Sequence, residues 1–392
     1  MSRSSSVTGG PQTSVWELPG QARVAEVLRG SCARAEPGHA WAFVGPPGVG
    51  QEQAARALAA ALNCPRPTAP GEPCGTCSVC TRCRRGTFSS YQEFAPVGSM
   101  HRKDDVQNLW LRAASMTALE GSWKVLRVID ADRMNEVAAN TFLKGLEEPP
   151  ARTLWVLDIA DPDELPDTIL SRCRLLQFAP WATEDLRAEA QRLGIAEADN
   201  DLAVRVASGA PAVLQRLARP HAVEDLRRHR AILGALRRHG PGFCLVAAHD
   251  IAEEVKRSTA AIKDETASEL EALAERYGDS VPQAVTKQLG ERGQRREREV
   301  KTAVAQAALD DLVSWCRDLL LVSAGGDPAH ALHCDAAEEL RADAEAFDSA
   351  RILRMIDVVL ATREALELNV QQGLALEACF MELSALTLAR SG

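Results

Sequence analysis

Four closely spaced cysteines form the most specific chemical pattern in the sequence. The spacing is C-x9-C-x2-C-x2-C, formed by Cys64, Cys74, Cys77 and Cys80. Two-residue gaps let thiolates approach one ion from a tight turn, and four thiolates complete a tetrahedral zinc site with no open position for water. Cys83 continues the two-residue spacing, so it is an alternative to Cys80 as the fourth ligand. The sequence therefore predicts a structural zinc module over about residues 64–83.

Other features of the chain agree with metal rather than disulfides. Prolines at positions 65, 67, 70 and 73 exclude a packed helix there, so this loop needs another source of order. The chain has 11 cysteines, an odd number. Residues 1–12 are rich in Ser and Gly without an apolar core, and no apolar run reaches membrane-spanning length. We therefore expect a cytoplasmic protein with neither signal peptide nor membrane span, in which clustered cysteines bind metal.

A glycine-rich loop marks a second candidate site. Residues 45–52 read Gly-Pro-Pro-Gly-Val-Gly-Gln-Glu, which has the glycine spacing of a phosphate-binding loop but lacks its final lysine and serine or threonine. Gln51 stands where a lysine would neutralise phosphates, and Glu52 where a hydroxyl would hold magnesium. A carboxylate about 4 Å from a phosphate oxygen repels it by about 4 kcal/mol at an effective dielectric constant of about 20. We expect this degenerate loop, from Gly45 through Gly50, not to bind ATP.

Glu52 has a second interpretation. In the first turn of a helix a carboxylate supplies the negative charge that the helix N-terminus favours, which stabilises the helix by about 0.3–1 kcal/mol. A second acidic motif also lacks ATPase chemistry. The apolar run at 124–129 ends in Ile129 and Asp130, where an ATPase keeps a magnesium-binding Asp and a water-polarising Glu. Isoleucine cannot bind magnesium and Asp130 is one methylene shorter than Glu, so we expect no ATP hydrolysis.

A parallel sheet wrapped by helices must position these residues. Short apolar runs alternate with Ala-rich helical patterns in the first half of the chain, which is typical of α/β folds. The predicted strands are 40–44, 124–129, 153–157 and 174–178. The predicted helices are 52–62, 106–115 and 136–145, with a further helix start at 168–170. Beyond Pro180 the strands stop and apolar residues recur at helical spacing.

Composition restricts the function further. Of 392 residues 46% are hydrophobic and 25% are charged, which is typical of folded proteins with real cores. Aromatic residues make up only 4%, and the net charge is −9. Few rings are available to stack on bases, and an acidic chain is a poor free-standing nucleic-acid binder. The Arg- and Glu-rich residues 290–299 are more simply a solvated helix face than a phosphate-binding patch.

Several motifs together resemble the clamp-loader family of AAA+ proteins, and within it the delta-prime type of DNA polymerase III subunit. The matching stretches, besides the four-cysteine insert, are residues 39–50, 131–134, 138–150 and 170–173. They cover about residues 15–180. The turn at 208–211 resembles the second sensor of this family, but the usual arginine is absent and Val213 lies near its place. The tau/gamma subunits share these motifs and keep the Lys-Ser/Thr pair.

The resemblance implies a fold and a mechanism. It implies an α/β AAA+ core with a Rossmann-like parallel sheet over residues 1–180, a small helical lid over 181–219 and an all-α C-terminal collar over 220–392. A delta-prime subunit is expected to be catalytically silent and to lend an arginine in trans to a neighbouring tau/gamma site. That arginine would be Arg172, between Ser171 and Cys173. Cys173 itself is expected to be a small buried hydrophobe.

The resemblance also implies partners. These are tau/gamma and delta subunits in a heteropentameric ring, together with the beta sliding clamp and primer-template DNA reached through the assembly, with structural zinc as the cofactor. Two other functions remain to be weighed: an active tau/gamma-type ATPase motor, which Gln51, Glu52 and Ile129 oppose, and a zinc-dependent nucleic-acid-binding protein, which the acidic charge opposes. The acidic pair Glu147-Glu148 before two prolines ends a helix, and its role in packing or in an interface stays open.

Overall fold

The computed structural model describes residues 14–34, 37–96, 100–118, 120–277, 283–368 and 370–388. The N-terminal residues 1–12, for which we expect no signal peptide, lie outside this part of the chain. The chain divides into two compact units. The first comprises Met1–Asn200 and Ala207–Arg216, and the second comprises Asp201–Val206 and Leu217–Gly392.

The first unit contains a five-stranded sheet. Its strands are β1 Ala40–Val44, β2 Tyr91–Phe94, β3 Lys124–Val128, β4 Thr153–Ile159 and β5 Arg174–Gln177. The order across the sheet is β2-β3-β4-β1-β5, and every neighbouring pair is parallel. All residues of β1, β3 and β4 are buried, as expected for a parallel sheet covered on both faces. The predicted parallel α/β sheet is therefore confirmed, with β2 as a strand that the sequence prediction missed.

Helices precede, connect and follow these strands, and residues 201–206 of the penultimate helix belong to the second unit. They are α1 Ala22–Ala33, α2 Gln51–Asn63, α3 Ser78–Arg84, α4 Lys103–Asp105, α5 Leu111–Ser115, α6 Glu136–Glu147, α7 Asp167–Leu170, α8 Thr183–Arg192, α9 Glu197–Ala207 and α10 Pro211–Leu217. Between α4 and α5, Val106–Trp110 forms a π-helical turn, so the helix predicted at 106–115 begins earlier and is irregular. The predicted helices at 52–62 and 136–145 are α2 and α6 with slightly longer bounds, while α1 and α3 were not predicted.

Aromatic rings pack edge to face in the core beneath α6. The rings of Trp110 and Phe142 are 5.4 Å apart between centroids, and those of Phe142 and Trp155 are 4.9 Å apart, both nearly perpendicular. All three side chains are almost fully buried. Edge-to-face contacts add about 0.5–1.5 kcal/mol per pair to the effect of burial. This cluster joins α6 and the π-helical turn to β4, and so fixes the strand ends on which the candidate site is built.

The second unit is helical. Its helices are α11 Ala222–Arg230, α12 Ile232–His239, α13 Gly242–Tyr277, α14 Gln283–Ser323, α15 Ala337–Ala346, α16 Ser349–Glu367 and α17 Gln372–Leu388. No strand follows Pro180 in the described ranges, as the sequence predicts. Residues 325–328 form a turn after α14 inside this unit, again as predicted. No helix in the described part of the chain is both long enough and apolar enough to cross a membrane.

Apolar residues on α14 and α16 form the core of the second unit. Leu312, Trp315, Cys316 and Leu319 are buried in one cluster with Ile352 and Val359, as their helical spacing indicated. Ile356 packs against this cluster from a half-buried position, whereas Leu360 is 42% exposed. In the Arg- and Glu-rich stretch, which lies on α14, Arg298 and Glu299 are exposed and Glu297 pairs with Lys263 and Lys301.

A buried histidine joins three helices of the second unit. His229 of α11 places Nδ1 2.9 Å from Oδ2 of Asp311 and Nε2 3.1 Å from Oε2 of Glu254. Burial by itself lowers the pKa of His229, but the hydrogen bonds and charges of these two carboxylates outweigh it, so the pKa lies above its usual value. The histidine is therefore the cation that balances the buried Asp311 and the half-buried Glu254.

The charge of His229 makes the stability of this unit depend on pH. Because the folded pKa is raised, the stabilisation is fully present below about pH 6.5 and is lost as the pH rises through the folded pKa. His229→Gln should therefore lower protection of α11 and α14 amides in hydrogen–deuterium exchange by about 3 kcal/mol near pH 6, and by less near pH 9. His239→Gln, at an exposed position, is the control. An equal loss at both pH values would contradict the charged histidine.

Candidate functional site

The glycine-rich loop connects β1 to α2 at the carboxyl edge of the sheet. Gly45 has φ 156° and Gly50 has φ 127°, in the half of backbone space that favours glycine. A Cβ on Gly45 would overlap the carbonyl oxygen of Phe178, which follows β5. The first glycine is thus required by packing within the sheet, independently of any phosphate.

Gln51 is bonded to the loop itself. Its Oε1 accepts a hydrogen bond from Val49 N at 3.1 Å, and its Nε2 donates to Pro46 O at 2.7 Å and to Gly45 O at 3.4 Å. The side chain is buried. A lysine here would extend toward phosphates, whereas Gln51 occupies the donors and acceptors of the loop that surrounds it. The loop is therefore closed by its own side chain.

Glu52 lies in the first turn of α2, as expected, and pairs with Arg56 one turn later. Arg56 also lies 3.9 Å from Glu93 of β2. The Glu52 side chain is 42% exposed. Its charge is thus shared between the helix N-terminus and an arginine on the same helix, an arrangement that stabilises an exposed helix by about 0.3–0.5 kcal/mol.

The second acidic motif has a structural role. Asp130 follows β3 with φ 51°, a left-handed conformation that Asp tolerates better than most residues. Asp132 accepts hydrogen bonds from Ala160 N and Asp161 N, both at 3.0 Å, through one carboxylate oxygen. Ile129 contributes a carbonyl that lies 2.8 Å from Nε2 of the buried His101. These residues hold the loops after β3 and β4 together at the carboxyl edge.

A buried ion network lies beside the loop and was missed by the sequence prediction. Arg127 of β3 donates to Asp158 of β4 through Nε at 2.8 Å and Nη2 at 2.5 Å, and to Glu93 of β2 at 2.8 Å. Burial raises the pKa of Asp158 to about 6 against the opposing charge of Arg127. The hydroxyl of Tyr91 donates to Glu93 at 2.5 Å. Charged residues inside the apolar runs of β3 and β4 were the available sequence signal.

These residues line one cleft of about 300 Å³. The walls are the glycine-rich loop, Glu93, Arg127, Asp130 and Asp158, together with Ala212 and Gln215 of α10. No lysine lines it among the described residues. The cleft lies between the glycine-rich loop and the carboxyl ends of β3 and β4, and its carboxylates outnumber its single arginine. An anion with several negative charges would therefore be repelled from it.

The turn at 208–211 reaches the same cleft. Ser208 and Gly209 have positive φ angles of 46° and 93°. Ala212 N lies 3.3 Å from Gly48 O, and Gln215 lines the cleft, while Val213 is half-buried nearby on α10. No arginine of this helix lines the cleft among the described residues.

Arg172 lies after α7, away from the cleft of its own chain. Its guanidinium is 2.6 Å from Oε1 of Glu147 at the end of α6, and it donates to Thr168 O at 2.7 Å. The Arg172 side chain is 37% exposed. Cys173 beside it is buried, and burial raises its pKa to about 12, which keeps it a neutral thiol. Glu147 therefore packs against the segment that carries the candidate arginine.

The structure brings the sulfur atoms of Cys64, Cys74, Cys77 and Cys80 within 4.8 Å of one another. The sulfurs of Cys64 and Cys77 are 4.0 Å apart, close to the separation of about 3.8 Å expected from Zn–S bonds of about 2.3 Å in a tetrahedron. Cys64 directly follows α2, and Cys77 caps α3. These four residues form a group that could hold a metal ion such as zinc.

Backbone amides prepare this group for a cation. Cys74 N donates to the sulfur of Cys64 at 3.3 Å, Cys77 N to Cys74 at 3.4 Å and Cys80 N to Cys77 at 3.4 Å. Hydrogen bonds from the amides of Thr76 and Cys77 lower the pKa of Cys74 to about 6. Amide donors around sulfur stabilise thiolates, which are the form that binds zinc. The residues present fit a metal site.

Cys83 lies one turn further along α3, outside the four converging sulfurs. It is fully buried, and burial raises its pKa to about 12. Of the two candidates for the fourth ligand, the geometry thus favours Cys80.

Zinc measurements on cysteine variants would distinguish the ligands. Because each thiolate supplies one of four bonds, Cys64→Ser, Cys74→Ser, Cys77→Ser or Cys80→Ser should each lower bound zinc well below one equivalent, as measured by mass spectrometry of the purified protein. Removing the metal should also loosen residues 64–83, since a structural zinc contributes directly to folding. Cys83→Ser is the matched control and should retain its zinc. Loss of zinc in that variant would place Cys83 among the ligands.

Comparison with known proteins finds relatives of residues 20–182. Residues 20–182 match the family described as DNA polymerase III, delta subunit. The chain is 38% identical over 160 residues to DNA polymerase III subunit delta' of Bacillus subtilis, covering 41% of this chain and 48% of that protein. It is 37% identical over 191 residues to subunit delta' of Pseudomonas aeruginosa, covering 47% of this chain and 57% of that one.

The tau subunits match over a similar region. Subunit tau of Salmonella typhimurium is 32% identical over 183 residues, which cover 47% of this chain and 28% of that protein. The chain thus spans about half the length of the delta' relatives that it matches and less of tau. Over residues 20–182 the resemblance to DNA polymerase III subunits is confirmed, and the protein is delta-prime-like in that region.

Proposed function

We propose that this chain is a clamp-loader subunit of the delta-prime type that helps a DNA polymerase III assembly load its sliding clamp onto primed DNA. The match of residues 20–182 to that family supports the assignment. In this proposal residues 1–180 are the AAA+ domain, 181–219 a helical lid and 220–392 the collar. A structural zinc ion bound by Cys64, Cys74, Cys77 and Cys80 orders the insert. The protein acts in the cytoplasm.

The subunit is catalytically silent in this proposal, and the closed loop around Gln51 carries the argument. ATP binding needs free loop amides and a lysine to neutralise phosphate charge, but the neutral Gln51 side chain accepts from the Val49 amide and donates to the carbonyls of Pro46 and Gly45. Hydrolysis needs magnesium ligands, which Ile129 and Asp130 do not replace. The single arginine of the cleft, Arg127, is already neutralised by Asp158 and Glu93.

The chemical contribution of the subunit would be made in trans by Arg172. Its guanidinium is partly exposed and is held by Glu147 on a surface outside the cleft of its own chain. A planar guanidinium can form two parallel hydrogen bonds to phosphate oxygens, so it can stabilise the charge that develops on a γ-phosphate bound by a neighbouring tau/gamma subunit. Removal of such arginines lowers hydrolysis on the order of 10³-fold or more.

The second unit would join the ring. Several large apolar side chains of α16 and α17 are exposed: Leu353, Leu360, Leu374 and Met381. Exposed apolar faces of this kind favour burial against partner helices, which supports a collar formed with tau/gamma and delta subunits in a heteropentamer. Contact with the beta clamp and with primer-template DNA would then be made through the assembly.

An active ATPase motor of the tau/gamma type is the alternative function. The match to tau subunits and the retained cleft of about 300 Å³ favour it. The two proposals differ in one measurable respect: a motor binds and turns over ATP alone, whereas a silent subunit changes the rate only within an assembly.

The ATPase rate of a reconstituted loader tests the role of Arg172. With DNA and clamp present, Arg172→Ala should slow hydrolysis on the order of 10³-fold at the site that it serves, and the chain alone should be inert. The loader with Arg172→Lys should also hydrolyse ATP slowly, because a lysine ammonium lacks the planar guanidinium that forms two parallel hydrogen bonds. Arg23→Ala, which removes an exposed arginine on α1, is the control. Turnover by the chain alone would establish the motor instead, and an unchanged rate in Arg172→Ala would refute the trans arginine.

Restoring the lysine and the threonine of an intact phosphate-binding loop tests the proposed reason why the subunit does not bind ATP. The double substitution Gln51→Lys with Glu52→Thr removes a repulsive carboxylate worth up to about 4 kcal/mol and adds a phosphate ligand. Calorimetry with magnesium ATP should therefore detect binding in the variant and none in the natural chain. Turnover should stay absent because Ile129 and Asp130 are unchanged. If the variant also fails to bind, the acidic residues Glu93 and Asp158 keep phosphates out independently of the loop.

A further inference from the structure

A second concave site lies in the helical unit, between α11, α12 and α15. It has a volume of about 220 Å³, several times that of a water molecule in the liquid, about 30 Å³. Its walls carry four arginines, Arg227, Arg230, Arg237 and Arg238. Only two acids line it, Glu339 and Asp343. The net charge of the chain is −9, so this concentration of positive charge is a local feature.

The four arginines share one helical face. Helices α11 and α12 continue into each other through Ala231, which has helical angles of φ −77° and ψ −10°. Steps of three and four residues from Arg227 to Arg230, Gly234 and Arg238 place these positions along one side of the combined helix. Gly234 has no side chain, and a Cβ there would lie 3.1 Å from Nη1 of Arg238. The same Cβ would lie 3.2 Å from both carboxylate oxygens of Asp343, so the missing side chain lets the Arg238 guanidinium and the Asp343 carboxylate both approach the helix backbone.

The ion pairs that these arginines form within the protein do not use all of their N–H donors. Arg230 is matched by both carboxylate oxygens of Asp335, at 2.8 and 2.9 Å. Arg237 donates to Asp343 through one Nη at 3.2 Å, but its Nε is buried without an acceptor. Arg238 is exposed and has no ion pair within 4 Å among the described residues. A buried guanidinium nitrogen without a partner indicates an acceptor that the protein itself does not supply.

Attraction to the helix dipole is the simpler explanation for basic residues here. Both α11 and α12 have basic residues in their last turns, where the helix dipole favours cations. That effect acts on side chains near exposed carbonyl groups. It does not explain why four arginines line one cavity together with the buried Asp343, or why Nε of Arg237 is buried without an acceptor. These two features together point to a bound oxyanion.

Asp343 restricts which oxyanion fits. Its carboxylate lines the cavity among the arginines, is buried, and can only accept hydrogen bonds when ionised. Inorganic phosphate keeps at least one proton at neutral pH, and a phosphate monoester, whose second pKa is about 6, can bind in its singly protonated form. Either can then donate to this carboxylate while its other oxygens accept from arginines. Sulfate and an internal phosphodiester carry no proton near neutral pH, so each would place an acceptor against an acceptor. The arginines therefore select an oxyanion, and Asp343 selects a protonated one.

We propose that this cavity binds a terminal phosphate group, as carried by a nucleotide or by a phosphorylated end of a nucleic acid. Arg238 and Nε of Arg237 donate to its unprotonated oxygens, and its hydroxyl donates to Asp343. This site is separate from the cleft of the first unit and does not depend on the proposed role of Arg172.

Calorimetric titration of the full chain with inorganic phosphate, at constant ionic strength and near pH 7, tests the site. Phosphate should bind at least about 10-fold more tightly than sulfate, because only phosphate can donate a charge-assisted hydrogen bond to the Asp343 carboxylate. Arg238→Ala should weaken phosphate binding by about the same factor. Arg238 is exposed, so this variant should keep its fold. Arg341→Ala removes an exposed arginine of α15 outside the cavity and should bind phosphate normally.

A further variant tests the discrimination itself. Asp343→Asn should make phosphate and sulfate bind alike, because an amide can donate as well as accept. The proposal is overturned if phosphate does not bind, if sulfate binds as well in the natural chain, or if Arg238→Ala has no effect.

Titrations with three further ligands distinguish the source of the phosphate. The ligands are thymidine 5′-monophosphate and one oligonucleotide prepared with either a 5′-phosphate or a 5′-hydroxyl. Binding of the mononucleotide alone identifies a free nucleotide, and preference for the phosphorylated oligonucleotide identifies a nucleic-acid end. Failure of all esters overturns the assignment to a phosphate ester.

Discussion

The buried guanidinium of Arg127 is the interaction on which the first unit depends. It lies in the middle of three adjacent strands and bonds Glu93 on one side and Asp158 on the other. Burial of charges is costly, and removal of one partner of a buried ion pair typically costs about 3–5 kcal/mol because the other charge is left unpaired. The three side chains therefore hold β2, β3 and β4 together at the edge where the loops of the cleft begin. The same bonds neutralise the arginine, so the constraint that fixes the cleft also makes it unattractive to phosphates.

In the proposed silent subunit, the packing of the loop against the sheet explains how the shape of a phosphate-binding loop can persist without phosphate chemistry. Gly45 is required because any Cβ would overlap the carbonyl oxygen of Phe178. Gly50 has a positive φ angle and precedes α2 directly. The packing of the sheet and the start of the helix therefore require these two glycines, whether or not a nucleotide binds. The side chains at positions 51 and 52 face the loop and the solvent, so the backbone conformation does not require a particular residue at either position. They are therefore free to become Gln and Glu, which stabilise the loop and the helix internally.

Features with a strong local signal could be predicted from the sequence, and those decided by tertiary contacts could not. The apolar runs of β1, β3 and β4, the cysteine spacing and the altered loop carry their information in adjacent residues. Strand β2 is only four residues long and two of them are exposed, so its Tyr-Gln-Glu-Phe sequence lacks a clear pattern. Helix α3 forms among the cysteines and lacks an apolar face of its own. The arginine cavity depends on α15, which follows α12 by almost one hundred positions, and no local pattern reports that contact.

The ion pair between Arg172 and Glu147 shows how an arginine can be held in position before it acts on another chain. The pair is partly exposed on both sides, and such ion pairs are worth about 0–1 kcal/mol because water already solvates both groups. A guanidinium held this weakly has a defined position at little cost to its release. In the proposed assembly, a doubly charged γ-phosphate at a neighbouring site offers stronger, charge-assisted bonds, so it can take the arginine from Glu147. Because the pair is weak, the Arg172 side chain can be ordered in the separate subunit and still be available to a phosphate bound by another chain.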